Sequence, residues 1–94
     1  MTDAFTGPVA AEIDQRLRAA LAPERLEVIN DSARHRGHAG DDGSGESHFT
    51  VRIVAASFAG QTRLQRQRAV NRALADLLKD RIHALAIEAK APGE

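Results

Sequence analysis

The sequence predicts a two-layer α+β domain: a three-stranded mixed sheet with both helices on one face, in the order α-β-β-α-β. Three observations predict it. Two stretches repeat apolar residues at helical spacing, three shorter ones carry strand patterning, and 94 residues leave room for a single core. Two strands joined by a loop pair antiparallel, whereas a strand–helix–strand unit places its strands parallel with a right-handed crossover. Three strands cannot bury two faces, so the helices gather on one side.

Residues 1–7 read as a short, flexible N-terminus and residues 8–94 as one domain. From Pro8, Val9, Ile13, Leu17, Ala20 and Leu21 recur on one helical face, with Glu12, Asp14, Gln15, Arg16 and Arg18 between them. Pro8 suits a first helical turn, where its missing N–H costs nothing, and Pro23 marks the stop. Leu26–Asn30 is a short strand with two β-branched residues. The stretch from Asp31 to Ser47, rich in glycine, acids and small polar residues, is a surface loop, long for a connection between neighbouring elements. His48–Val54 alternates, with Phe49, Val51 and Ile53 on one face and His48, Thr50 and Arg52 on the other. Phe58-Ala59-Gly60 is a turn. Thr62 to Lys79 is one amphipathic helix on Leu64, Val70, Ala73, Leu74, Leu77 and Leu78. Ile82–Lys90 is a third strand, with His83, Leu85, Ile87 and Ala89 on one parity, although its Ala-rich start also reads as helix.

Composition excludes several classes. Thirteen Lys/Arg balance thirteen Asp/Glu, unlike the strong positive excess of a dedicated nucleic-acid coat. With no Cys there are no disulfides, thiolate metal sites or thiol nucleophiles, and with no Trp or Tyr few base-stacking platforms remain beyond Phe5, Phe49 and Phe58. No apolar run approaches the roughly 18–20 residues of a membrane span, and no basic region precedes an apolar one at the N-terminus. Membrane insertion and secretion are not expected; a cytoplasmic location is. An enzyme needs a nucleophile or an acid/base pair held rigidly in a pocket. Asp41-Asp42 beside His38 sits among glycines, so a solvated acidic loop is the better reading and no catalytic residue is expected. Four histidines remain for chemistry: His35, His38, His48 and His83.

Taken in order, Leu26 to Asp31-Ser32, Arg34-His35, Glu46-Ser47-His48-Phe49-x-Val51, Phe58-x-Gly60, Arg66-x-Arg68 and Ile82-His83-Ala84-Leu85-x-Ile87 resemble a BolA-like protein across residues 9 to 92. The sequence departs from the family pattern at Gln67, Asn71 and Ala91, none of them a metal-ligand position. The resemblance implies a fold similar to a type II KH domain. It also implies a non-enzymatic partner of a monothiol glutaredoxin with its glutathione, the two proteins sharing a [2Fe-2S] cluster. The implied ligands on this chain are His83 and a loop residue, best matched by His35 with His38 in reserve. No cofactor is expected on the chain alone, since two imidazoles without thiolates hold such a cluster poorly. Other members of the family are transcriptional regulators, with DNA binding assigned to the second helix and its preceding turn.

Each candidate also has a plainer reading. An isolated histidine at a strand start is more often a half-buried side chain satisfied by a carbonyl; the resemblance shifts the balance for His83 toward the ligand role it implies. Imidazole suits iron and makes cluster retention pH-sensitive, because the ligand nitrogen must be deprotonated. His35 and His38 could equally be solvated side chains, and His-x-x-His lacks the common zinc spacing. Arg34 and Arg36 beside His35 disfavour its protonated form. His48 reads as structural or as the rim of an interface. Arg63, Arg66, Arg68 and Arg72 form either a solvated helix face or a contact for an anion, such as DNA phosphate, an acidic partner or glutathione carboxylates.

Overall fold

Pro8 opens helix α1 (Pro8–Leu21), with extended Gly7 as its N-cap, and Val9, Ala10, Ile13 and Leu17 form its buried stripe. The computed structural model describes residues 7–31 and 48–94. The helix ends on Ala22, whose φ of 45° puts a non-glycine residue in the left-handed region while its N–H bonds to the Arg18 carbonyl at 3.1 Å. Strand β1 (Arg25–Asn30) pairs antiparallel with β2 (His48–Val54), and β2 pairs parallel with β3 (Ala84–Lys90), giving the spatial order β1-β2-β3. The mixed sheet deduced from the connections is the observed one.

Register decides which residues share a face. Val28, Val51 and Ile87 lie abreast, as do Leu26, Ile53 and Ala89. This inner face meets the helices: α1 lies against β1, α2 (Arg63–Ala73) against β3, and the two helices touch each other. Ile13, Leu17, Val28, Phe49, Val51, Ile53, Phe58, Val70 and Leu74 are the largest fully buried side chains. Burying a residue of this kind is worth roughly 1.5–3 kcal/mol, so the sandwich between helices and sheet is the main source of stability. On the outer face Glu27, Arg52 and Glu88 lie abreast, with Arg52 3.3 Å from Glu88 and 3.5 Å from Glu27. All three are about half exposed, so the row keeps this face soluble more than it stabilises it.

Between β2 and α2 the chain makes one 3₁₀ turn (Ala56–Phe58), and Gly60, at φ 80°, supplies the left-handed residue that turns it into the helix. Thr62 caps α2 with a reciprocal pair: its hydroxyl accepts from the Gln65 N–H at 3.1 Å, and the Gln65 side chain accepts from the Thr62 N–H at 2.8 Å.

Two boundaries differ from the sequence reading. The helix expected from Thr62 to Lys79 is broken at Leu74 into α2 and α3 (Ala75–Asp80). No Pro or Gly marks the break, and Val70, Leu74 and Leu77 stay buried through it. Strand β3 begins at Ala84, not Ile82. The N–H groups of Arg81 and Ile82 both bond to the Leu77 carbonyl, at 2.7 and 2.8 Å, so the helix end consumes the residues that periodicity assigned to the strand. His83 therefore stands in a bend ahead of β3, exposed, and does not follow the inward parity of Leu85 and Ile87.

Candidate functional site at the histidine end of the sheet

The parallel crossover brings the starts of β2 and β3 to one end of the sheet, with His48 in register with Ala84. His83, one residue earlier, lies beside His48 with ring centroids 6.3 Å apart and planes 17° from parallel. His48 is 7% exposed whereas His83 is open to solvent. Asp31, just past β1, is held to the same end: its N–H donates to the His48 carbonyl at 2.7 Å, and its carboxylate accepts the Thr50 hydroxyl. Asp31, His48, Phe49, Ala84, Leu85 and Ala86 line a shallow groove of about 240 Å³. One buried imidazole thus backs one exposed imidazole, beside an anchored carboxylate.

His35 and His38 lie outside the described residues, as do Arg34, Arg36 and Phe5. The segment carrying the two histidines leaves from Asp31 and returns at His48, two residues whose main chains are hydrogen-bonded. Sequence reasoning missed the pairing of His48 with His83. The only signal in the sequence is that each histidine lies at or just before the start of a strand; that the two strands are parallel neighbours is decided by the fold.

The arginines of α2 do not act as one patch. The Arg66 guanidinium, its side chain 11% exposed, donates to both carboxylate oxygens of Glu94, at 2.6 and 2.8 Å, and to the Ala89 carbonyl at 3.2 Å. Its Cζ also sits 6.0 Å from the centroid of the Phe58 ring. Glu94 further accepts from the Ala91 N–H at 3.1 Å. These bonds, Arg66 first and Ala91 second, lower the Glu94 carboxyl to about 2. Arg66 is therefore a clamp holding the residues after β3 against α2. Arg63 lies on the same flank, facing β3, while Arg68 and Arg72 line a separate groove of about 260 Å³ with Gln61, Gln65 and Ala69.

Among the described residues no group of three or more His, Asp or Glu is placed to hold a metal ion, and no helix is long and apolar enough to cross a membrane. What these residues do offer is nitrogen at an exposed rim.

The fold and site define a class: a small α+β domain with a three-stranded mixed sheet, helices on one face and an exposed histidine in the bend just ahead of its last strand. The family model described as BolA-like protein matches residues 17–94, and the chain belongs to that family. A Sinorhizobium protein named for its position in the cobS 5′ region is 54% identical over 83 residues, covering 87% of this chain and 89% of that one. Mouse BolA-like protein 1 is 47% identical over 91 residues, 97% of this chain, which spans 64% of the mouse protein's length. The Escherichia coli DNA-binding transcriptional regulator BolA is 40% identical over 79 residues, 84% of this chain and 71% of the regulator. Among solved structures, the BolA domain of SufE1 from Arabidopsis thaliana superposes with a TM-score of 0.83 at 38% identity, covering 94% of this chain and 96% of that domain.

Proposed function

We propose that the chain is a non-catalytic partner of a monothiol glutaredoxin, to which it offers nitrogen ligands for a shared [2Fe-2S] cluster. The observation that supports this is the solvent-open imidazole of His83, at the end of the sheet where the segment carrying His35 and His38 leaves and returns. The donor set fits a shared group and not a resident one. This chain supplies imidazole and carboxylate but no thiolate, since it contains no Cys, so the sulfur must come from the partner and its glutathione. When bound, the cluster would supply one-electron chemistry, at a potential raised by imidazole replacing thiolate.

His83 would present its neutral nitrogen at the rim, and His35, or His38 in its place, would supply the second donor. His48 lies behind His83, its ring stacked at a centroid distance of 6.3 Å. Asp31 and Thr50 pin the end of β1, so the loop leaves the sheet from a fixed point. The test is to mix the chain with cluster-loaded monothiol glutaredoxin and follow the visible absorption and dichroism. His83→Ala should change the spectrum and shorten the life of the complex, and so should His35→Ala or His38→Ala. Spectra indifferent to all three would remove the mechanism.

A second reading, DNA binding, is favoured by the similarity to the E. coli DNA-binding transcriptional regulator BolA and by the exposed Arg68 and Arg72. With Arg66 committed to Glu94, the phosphate contacts would fall to Arg63, Arg68 and Arg72. Replacing Arg68 and Arg72 by alanine should then flatten the dependence of DNA affinity on salt by about two phosphate contacts.

A further inference from the structure

The outer edge of β3 has strand-forming main chain and, among the described residues, no strand beside it. In a parallel ladder, alternate residues turn their N–H and C=O toward the neighbouring strand. The Lys90 carbonyl accepts from the Ala55 N–H at 3.0 Å, so Lys90, Glu88, Ala86 and Ala84 face β2. Leu85, Ile87 and Ala89 therefore turn their main-chain groups outward, and the Ala89 carbonyl accordingly accepts from Arg66. That guanidinium, held by Glu94, closes one end of the edge. The N–H groups of Leu85, Ile87 and Ala89 and the carbonyls of Leu85 and Ile87 have no hydrogen bond among the described residues.

Alongside this edge runs a groove of about 410 Å³, walled by Arg63, Arg66 and Gln67 of α2 and by Ile87 to Lys90 of β3. Arg63 and Lys90 make no salt bridge among the described residues: Arg63 stands on the helix side of the edge, and Lys90, close enough to Glu94 to help lower its carboxyl, shares the outer parity of Glu88, which is given over to Arg52. In the same groove Gln61 Oε1 and Arg66 Nε are buried with no hydrogen-bond partner among the described residues, so its wall is polar and unsatisfied.

We propose that this groove docks an extended acidic peptide segment of a partner, which adds to the sheet as a fourth strand beside β3. An open strand edge next to a helix is the geometry of strand-addition recognition: main-chain hydrogen bonds supply affinity, and alternate side chains enter the groove. A peptide repeats its donors and acceptors with the two-residue period of Leu85, Ile87 and Ala89, as a nucleotide backbone does not. Among the described residues the groove has no aromatic side chain on which a base could stack, and Phe49 and Phe58 are both in the core. Arg63 and Lys90 set the sign of charge the occupant should carry. The proposal is independent of the histidine site, which lies at the other end of β3.

The test is nuclear magnetic resonance of the ¹⁵N-labelled full chain. The probes are an end-capped peptide of alternating Val and Glu, the same peptide with Lys for Glu, and a single-stranded oligonucleotide. The acidic peptide should shift the amides of Leu85, Ile87 and Ala89 and protect them from exchange. Ala89→Pro should abolish this, because it removes an outward donor that the β2–β3 ladder does not use. Arg63→Glu with Lys90→Glu alters only exposed side chains and keeps the test valid if the proline variant does not fold. This pair should weaken binding roughly threefold to tenfold, the worth of two exposed ion pairs. No shift at these amides with the acidic peptide overturns the proposal. So does equal binding of the Lys peptide, or shifts produced by the oligonucleotide in its place. Shifts that grow with protein concentration alone would assign the edge to a second copy of the chain and overturn it too.

Discussion

His48 and His83 sit side by side yet should respond oppositely to the same truncation. His83 is exposed, and removing an exposed side chain changes stability by within about 0.5 kcal/mol. His48 is 7% exposed at the junction of β2 with Asp31 and Thr50, so His48→Ala removes a packed polar ring and should cost about 1–3 kcal/mol. For a domain of this size, 1 kcal/mol moves the melting temperature by about 4–8 °C. Thermal unfolding followed by far-ultraviolet dichroism should therefore show His83→Ala within about 4 °C of the parent and His48→Ala lower by roughly 4–20 °C. The spectrum of the glutaredoxin mixture should reverse the ranking when both variants are compared at a temperature where each is folded: His83→Ala loses the ligand, and His48→Ala keeps it. If His83→Ala melts as early as His48→Ala, the exposed ring is a structural member and the division of labour between the two histidines is wrong.

Ala22→Gly should stabilise the chain by about 1 kcal/mol, since the exposed residue at φ 45° loses its Cβ clash and no packing; an unchanged melting temperature would refute it. The Glu94 carboxyl is held at about 2, below its ordinary value, mainly by Arg66. A depressed carboxylate contributes stability that is present above the ordinary carboxylate range and lost as pH falls toward 2. Denaturant midpoints should therefore drop across that interval, and less steeply in Glu94→Gln. Thr62→Ala removes the hydroxyl half of the α2 capping box and should cost about 1 kcal/mol, measured by urea unfolding, with Thr62→Ser close to the parent.

Much of the fold was legible because its determinants are periodic. The alternation of Phe49, Val51 and Ile53 settled β2 to its final boundaries, Pro8 marked the start of α1, and the order of elements implied the mixed sheet. The break at Leu74 was not legible, because Ala73-Leu74-Ala75 are strong helix formers and nothing local argues against continuity. The start of β3 was misplaced because Ile82 is apolar in either state, and the hydrogen bonds that end α3 leave no trace in hydropathy. Of the candidate site, His83 is reached only through the family resemblance, and from its place at a strand start His48 reads as structural or as the rim of an interface.

The sequence by itself determined the three strands, the two helical stretches, their order and the inner face of β2, because a period of 2 or 3.6 residues is written along one dimension. Only the tertiary structure decided that His48 stands against His83, that Arg66 answers to Glu94 and not to the other arginines of its helix, and that β3 presents an unpaired edge beside α2. Those are distances between residues 23 to 35 positions apart in the chain, and they exist only once the crossover has folded back on the sheet.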